Sequence, residues 1–315
     1  MDDDLAEKLD ALRPSLPEQV LALPKEEQDA YLLRLVRHFE EQEKLEKEKE
    51  EIVAKTTQKV ESEYSFLHPD LKQPLDHHYD AALLSSIRSG DPSALSRLFH
   101  EAHDGVFSFH LFSPSFCSKL CEEIDHFEKW VERERLDILR PNSMNNYGLV
   151  LSQLGMNKVM DDFVAHIATP ISRLLFPFLS PHLDLDEQHS FIVQYEVDKD
   201  KDLGFHVDDS EVTFNCCLGV EGFEGGDLYM RGRRCHLHQQ TEARDEEKWE
   251  YQFEVGQALV HLGRHRHGVL PLSKGKRQNL IVWCRSTQLR HEEDLRLCTR
   301  WCTYHPHADH EEEKV

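Results

Sequence analysis

None of the 315 residues falls in a run of roughly 20 apolar side chains, the length a membrane-spanning helix requires. The N-terminal stretch from Met1 to Glu7 has neither the basic n-region and apolar h-region of a secretory signal nor the arginines of a transit peptide. The expectation is therefore a cytoplasmic or nuclear protein whose eight cysteines remain thiols. Basic residues are the scarcer charge, with 37 Lys and Arg against 59 Asp and Glu, for a net charge of −22. Such a chain is repelled as a whole from phosphate backbones and anionic lipid, so neither non-specific nucleic-acid binding nor membrane association is expected. Internal repeats and sustained heptads are also missing, which excludes a solenoid and a long coiled coil.

Four regions differ in texture. Residues 1–62 form an acidic helical extension. Pro24 stands in first-turn position, Glu26, Glu27 and Asp29 follow, and Leu32, Leu35, Val36 and Phe39 make an apolar stripe. That helix should run to Gln58, losing its apolar face after Phe39. Residues 63–185 read as a mainly helical support region, with helices at 92–101, 113–135 and 157–176 and a strand at 105–112. Cys117 and Cys121, one turn apart on the second of these helices, suit a core face. Residues 186–290 change to short β runs at 189–197, 212–218, 227–231, 249–255, 258–262 and 279–286, separated by Gly-rich or polar turns. This spacing argues for an antiparallel sandwich or barrel, and so for an α+β protein. Residues 291–315 are a polar tail rich in His and Glu.

One constellation carries chemistry. His206-Val-Asp208 lies just before the run 212–218, and alternation along an extended chain turns both side chains to one face. Four other H-x-D triplets occur, at His68/Asp70, His78/Asp80, His182/Asp184 and His307/Asp309, but only His206/Asp208 is followed by a full set of partners. These are His267, preferred over its neighbours His261 and His265 by the Gly-Val-Leu-Pro that follows, and Arg277 ten residues on, at the head of the last β run. Two imidazoles and a carboxylate on one face of a metal leave the other positions open, the arrangement of non-haem Fe(II) oxygenases. A guanidinium fork suits the far carboxylate of a dicarboxylate co-substrate.

The runs from His206 to Leu218, Phe223 to Leu228 and His267 to Arg277 resemble the Fe(II)/2-oxoglutarate-dependent dioxygenases, in particular the catalytic domain of procollagen lysyl hydroxylases. Arg140-Pro-Asn-Ser-Met-Asn-Asn-Tyr-Gly148 extends the similarity upstream. The resemblance implies a double-stranded β-helix (jelly-roll) core with N-terminal flanking helices. It implies His206, Asp208 and His267 as iron ligands and Arg277 as the 2-oxoglutarate anchor. Tyr195 matches a position where the family often places a hydrogen-bond donor to 2-oxoglutarate, and Thr213 and Asn215 are further candidates for that pocket. The activity implied is decarboxylation of 2-oxoglutarate to succinate with O2, coupled to hydroxylation of a primary substrate, for which a protein side chain is the leading expectation. L-ascorbate is the implied reductant. The charges of Fe(II), Asp208, the dianionic co-substrate and Arg277 cancel, which avoids an unpaired buried charge.

An alternative reading keeps the jelly roll as a non-catalytic metal-binding scaffold, with the acidic helix recruiting partners. Cys298, Cys302, His305, His307 and His310 are zinc-type donors at a spacing that fits no strong zinc pattern. Cys216 and Cys217 should be one buried and one outward strand residue, and His236 and His238 should lie on a loop. Within 201–290 acids and bases balance, so the net negative charge belongs to the flanks and carries no inference about the substrate.

Overall fold

Short antiparallel strands and the helices around them are described in a computed structural model covering residues 9–179, 183–219, 222–291 and 302–304. Two compact units divide at Lys55, within the helix Lys25–Glu63. In the N-terminal unit, Leu9, Leu16 and Leu32 form a small core flanked by Val20, Tyr31, Leu33 and Val36. Arg13 pairs with Asp29 at 2.6 Å and donates to Gln28 at 3.0 Å. The stripe expected through Phe39 is buried only at its start. Phe39 is 66% exposed, because the side chains packed on this core reach no further than Val36.

Among the described residues the larger unit carries thirteen strands. They are β1 (His100–His103), β2 (Val106–His110), β3 (Gly148–Val150), β4 (Glu187–Glu196), β5 (Leu203–His206), β6 (Val212–Gly219) and β7 (Glu224–Gly225). There follow β8 (Leu228–Arg233), β9 (Lys248–Tyr251), β10 (Gln257–Leu262), β11 (His265–Val269), β12 (Leu272–Lys274) and β13 (Lys276–Arg285). Seven pair in the order β1-β2-β10-β6-β13-β4-β3, four as β5-β11-β8-β9, and β12 pairs with β7. The strand pairings are antiparallel, so with its helices the unit is α+β.

The seven-stranded sheet is covered on both faces. Phe214, Cys216 and Leu218 of β6 join a core with Phe116, Leu120, Ile124 and Phe127 of the helix Pro114–Glu134. Cys217 of the same strand joins a second core with Val193, Tyr195, Leu259 and Ile281, and with Leu228, Met230 and Val269 of the four-stranded sheet. Cys216 and Cys217 are therefore both buried, correcting the expectation that one points outward. Burying each large apolar side chain of this kind contributes about 1.5–3 kcal/mol.

Local chemistry explains the helices. Ser113 Oγ accepts from Phe116 N at 3.2 Å to start Pro114–Glu134, and Arg135 in the left-handed region, φ 53°, ends it. The helix expected at 157–176 is interrupted by a π turn, Val164–Ala168, which ends two residues before Pro170. Proline offers no N–H and its ring crowds the carbonyl four residues back, which a widened turn relieves. The helix expected at 92–101 stops at Ser96, since residues 100–103 pair with β2 instead. Among the described residues no helix is long and apolar enough to cross a membrane.

Candidate metal centre

Residues 277, 279, 281 and 283 alternate along β13, and beside them Tyr195 on β4 is the register partner of Arg277. Thr213 and Asn215 of β6 lie on the next strand over, paired with Trp283 and Ile281. From the other sheet, β5 delivers His206 and β11 delivers His267, opposite one another in register. These elements enclose a small cavity of about 30 Å³ lined by Tyr195, His206, Asp208, Thr213, Asn215 and His267 among others.

The structure brings His206, Asp208 and His267 together as a group of possible metal donors. His206 Nε2 and His267 Nε2 lie 3.5 and 3.7 Å from the same oxygen, Asp208 Oδ1. Each ring is oriented from behind: His206 Nδ1 lies 2.8 Å from Gly204 O, and His267 Nδ1 2.8 Å from His265 O. A carbonyl only accepts, so both Nδ1 atoms carry a proton and both Nε2 atoms turn toward Asp208. Asp208 is held in turn. Its amide donates to Gly263 O at 2.9 Å, and its Oδ2 accepts from Thr213 Oγ1 at 2.7 Å, with Ser210 Oγ 2.7 Å from the same hydroxyl. Glycine is needed at 263, where a Cβ would stand 2.1 Å from Ser210 O.

Electrostatics follows from this packing. Burial opposes ionisation of Asp208, but His267, His206 and His261 outweigh it and hold the carboxyl well below the usual range. Burial pushes His267 down to about 3, against the pull of Asp208. Burial also disfavours the charged form of His206, and there its hydrogen bond to Asp208 prevails and the net shift is upward. Two imidazole nitrogens and a carboxylate oxygen converging in this way form a donor set suited to a divalent transition metal.

The other sequence candidates fall nearby in different ways. Asn215 lines the cavity and accepts from Asn279 Nδ2 at 2.7 Å. Thr213 also lines it, and supports Asp208 besides. Tyr195 is buried on the wall, where burial pushes its hydroxyl up to about 12. Arg277 is 1% exposed and lies behind that wall, its guanidinium 4.9 Å from the Tyr195 ring centre, 5.4 Å from Phe253 and 5.8 Å from Phe223. It donates to Gly226 O, its Nε has no partner, and among the described residues no carboxylate pairs with it. Burying a guanidinium without a counter-charge costs several kcal/mol, which an anionic ligand would offset.

His261 and His265, which compete with His267 in the sequence, are buried and outside the donor group. Of the other H-x-D pairs, Asp80 caps the helix Ala81–Ser89, accepting from Leu83 N at 3.0 Å, and Asp70 pairs with Lys119 at 2.6 Å. His182, His307 and Asp309 lie outside the described residues. Sequence reasoning missed three polar lining residues, Asn142, Asn145 and Trp283, with Asn145 Nδ2 and Trp283 Nε1 lacking partners. The Asn-rich run before Gly148 was the available signal for the first two.

An OGFOD2-like domain matches residues 60–180, a stretch that precedes the donor group. The chain is similar to the 2-oxoglutarate and iron-dependent oxygenase domain-containing protein ICU11 of Arabidopsis thaliana, 40% identical over 78% of this chain and 62% of that protein. It is 34% identical to the 2-oxoglutarate and iron-dependent oxygenase domain-containing protein 2 of Xenopus tropicalis, over 77% of this chain and 67% of that one. A procollagen-lysine,2-oxoglutarate 5-dioxygenase 1 of Gallus gallus is 26% identical over 55% of this chain, but this covers only 22% of that protein. The chain thus spans about three fifths of the length of its Arabidopsis relative and two thirds of the Xenopus one. With that identity and coverage, the chain belongs to the family of 2-oxoglutarate and iron-dependent oxygenase domain-containing protein 2.

Proposed function

We propose that the chain is an Fe(II)/2-oxoglutarate-dependent dioxygenase, converting 2-oxoglutarate and O2 to succinate and CO2 while hydroxylating a protein side chain. In this reading the two facing antiparallel sheets are the double-stranded β-helix (jelly roll) and L-ascorbate serves as reductant. The observation that carries it is the convergence of His206 Nε2, His267 Nε2 and Asp208 Oδ1, with both Nδ1 atoms committed to carbonyls. The name of the Gallus gallus relative, a procollagen-lysine,2-oxoglutarate 5-dioxygenase, supports a protein side chain as substrate.

His206, Asp208 and His267 would hold the metal. Bound iron supplies the redox chemistry that joins O2 to the decarboxylation. Thr213 keeps one Asp208 oxygen occupied, so the other is the one presented to the histidines. Arg277 places an uncompensated positive charge behind Tyr195, which suits the far carboxylate of 2-oxoglutarate. Val193, Val269 and Ile281 supply apolar cavity wall and limit water at the centre. Asn145 Nδ2 and Trp283 Nε1 are donors for a polar group entering the cavity.

Calorimetry with N-oxalylglycine, a 2-oxoglutarate mimic, tests this reading against the scaffold. Binding that requires Mn(II) and is lost in His206→Ala supports it; no binding, or binding indifferent to metal and variant, overturns it.

A further inference from the structure

A second group of metal donors lies outside the proposed iron site, and the argument for it does not depend on the oxygenase reading. Cys235, His238 and Cys302 place Sγ, Nδ1 and Sγ within 4.8 Å of one another. Cys235 Sγ is 3.3 Å and Cys302 Sγ 3.7 Å from His238 Nδ1. With Zn–S near 2.3 Å and Zn–N near 2.0–2.1 Å, tetrahedral ligation sets such S···N separations at about 3.6 Å. We propose that Cys235, His238 and Cys302 bind zinc through three protein ligands, fastening the segment 302–304 to the loop after β8.

The local sequence builds this site. His238 N donates to Cys235 O at 3.1 Å, closing a turn that brings side chains three apart together, a C-x-x-H arrangement. Cys302 arrives on a segment anchored independently of any metal. Thr303 N donates to Arg233 O at 3.0 Å, and Thr303 Oγ1 accepts from Arg234 Nη1 at 2.7 Å. The neighbouring Tyr304 ring stacks on His238, centres 4.0 Å apart and planes at 17°. Both cysteines are buried, Cys235 at 1% and Cys302 at 5% exposure. Thiolate and imidazole are the donors that zinc favours, and zinc outcompetes Fe(II) at such sites. On binding, each thiol loses its proton to water and its sulfur forms the bond to metal. Two thiolates then neutralise the dication.

The loop so fixed adjoins the other centre. Arg266, the residue before His267, donates to Gln239 O at 3.3 Å and to Thr241 O. A metal at Cys235 and His238 therefore steadies carbonyls that hold β11, the strand carrying His267. Of the five tail donors in the sequence, Cys302 alone lies among the described residues, and its partners come from the loop instead.

The test is zinc and iron content per chain, by plasma mass spectrometry on the full chain purified without chelator. Wild type and His206→Ala should each hold about one zinc, and the Cys235→Ser/Cys302→Ser double variant should hold at least tenfold less. Equal zinc in wild type and double variant, zinc lost in His206→Ala, or a Cys235–Cys302 disulfide in place of zinc would each overturn the proposal. Should the double variant fail to fold, Co(II) titration of the His206→Ala chain decides. A thiolate-to-cobalt charge-transfer band is expected, and its absence contradicts the site.

Discussion

His206 and His267 are register partners on β5 and β11, their ring centres 4.3 Å apart, and each binds the carbonyl two residues before it through Nδ1. This repeated device fixes two tautomers with backbone alone. Only Asp208 relies on a side chain, Thr213, for its orientation.

Replacing Thr213 with Val keeps the shape and removes that donor. Lost outer-shell hydrogen bonds of this kind typically cost about 10–100-fold in metal affinity. Calorimetric titration with Mn(II) should show such a weakening with no loss of fold; unchanged affinity would mean that Asp208 needs no support.

Arg277→Met separates binding from stability. Removing a buried cation that lacks a carboxylate partner should leave the melting temperature of the ligand-free protein unchanged or higher. Affinity for 2-oxoglutarate should fall about 10–100-fold, the worth of hydrogen bonds to a charged group. A variant that melts much lower and still binds the co-substrate would show that Arg277 is structural.

Gly268 sits where β11 presses on its neighbours. A Cβ there would stand 2.3 Å from Tyr229 Oη and 2.7 Å from Leu203 O, the latter backbone. Gly268→Ala should therefore cost about 1–3 kcal/mol in denaturant unfolding, as overpacking does. It should also weaken metal binding by displacing His267, whereas Gly155→Ala, with open space around its Cβ position, should leave metal binding intact.

Stability should fall with acid through His78. Burial, reinforced by His77, pushes this histidine down to about 4, and both of its ring nitrogens lack partners. The unfolded chain, with an ordinary histidine near 6.5, binds more protons between those two values. Stability is thus complete above about pH 6.5 and drains away as the pH falls through about 4. Chemical denaturation across this window should show wild type losing stability relative to His78→Gln as the pH drops, and parallel curves would contradict the shift.

Much of the centre was legible because its chemistry is local or strictly spaced. His206 and Asp208 share a face of one extended segment, and Arg277 shares β13 with the cavity residues Ile281 and Trp283. What escaped depended on long-range packing. β5 and β11 are short and polar, with the sequences Leu-Gly-Phe-His and His-Arg-His-Gly-Val, and they read as loops. Arg266 lies buried there only because carbonyls of residues 231, 239 and 241 receive its guanidinium. Cys216 and Cys217 are both covered because a helix layer and a second sheet lie on opposite faces, which alternation alone does not reveal. Cys235, His238 and Cys302 meet across more than sixty residues of sequence, a separation that no spacing rule bridges.

The central claim rests on turnover of the co-substrate. Succinate formed from 2-oxoglutarate by the purified chain, with Fe(II), O2 and ascorbate, measures it most directly. The account predicts Fe(II)-dependent succinate release that is abolished in His206→Ala and strongly reduced in Arg277→Met. Identical succinate release by wild type and His206→Ala, or none from metal-loaded wild type, would contradict it.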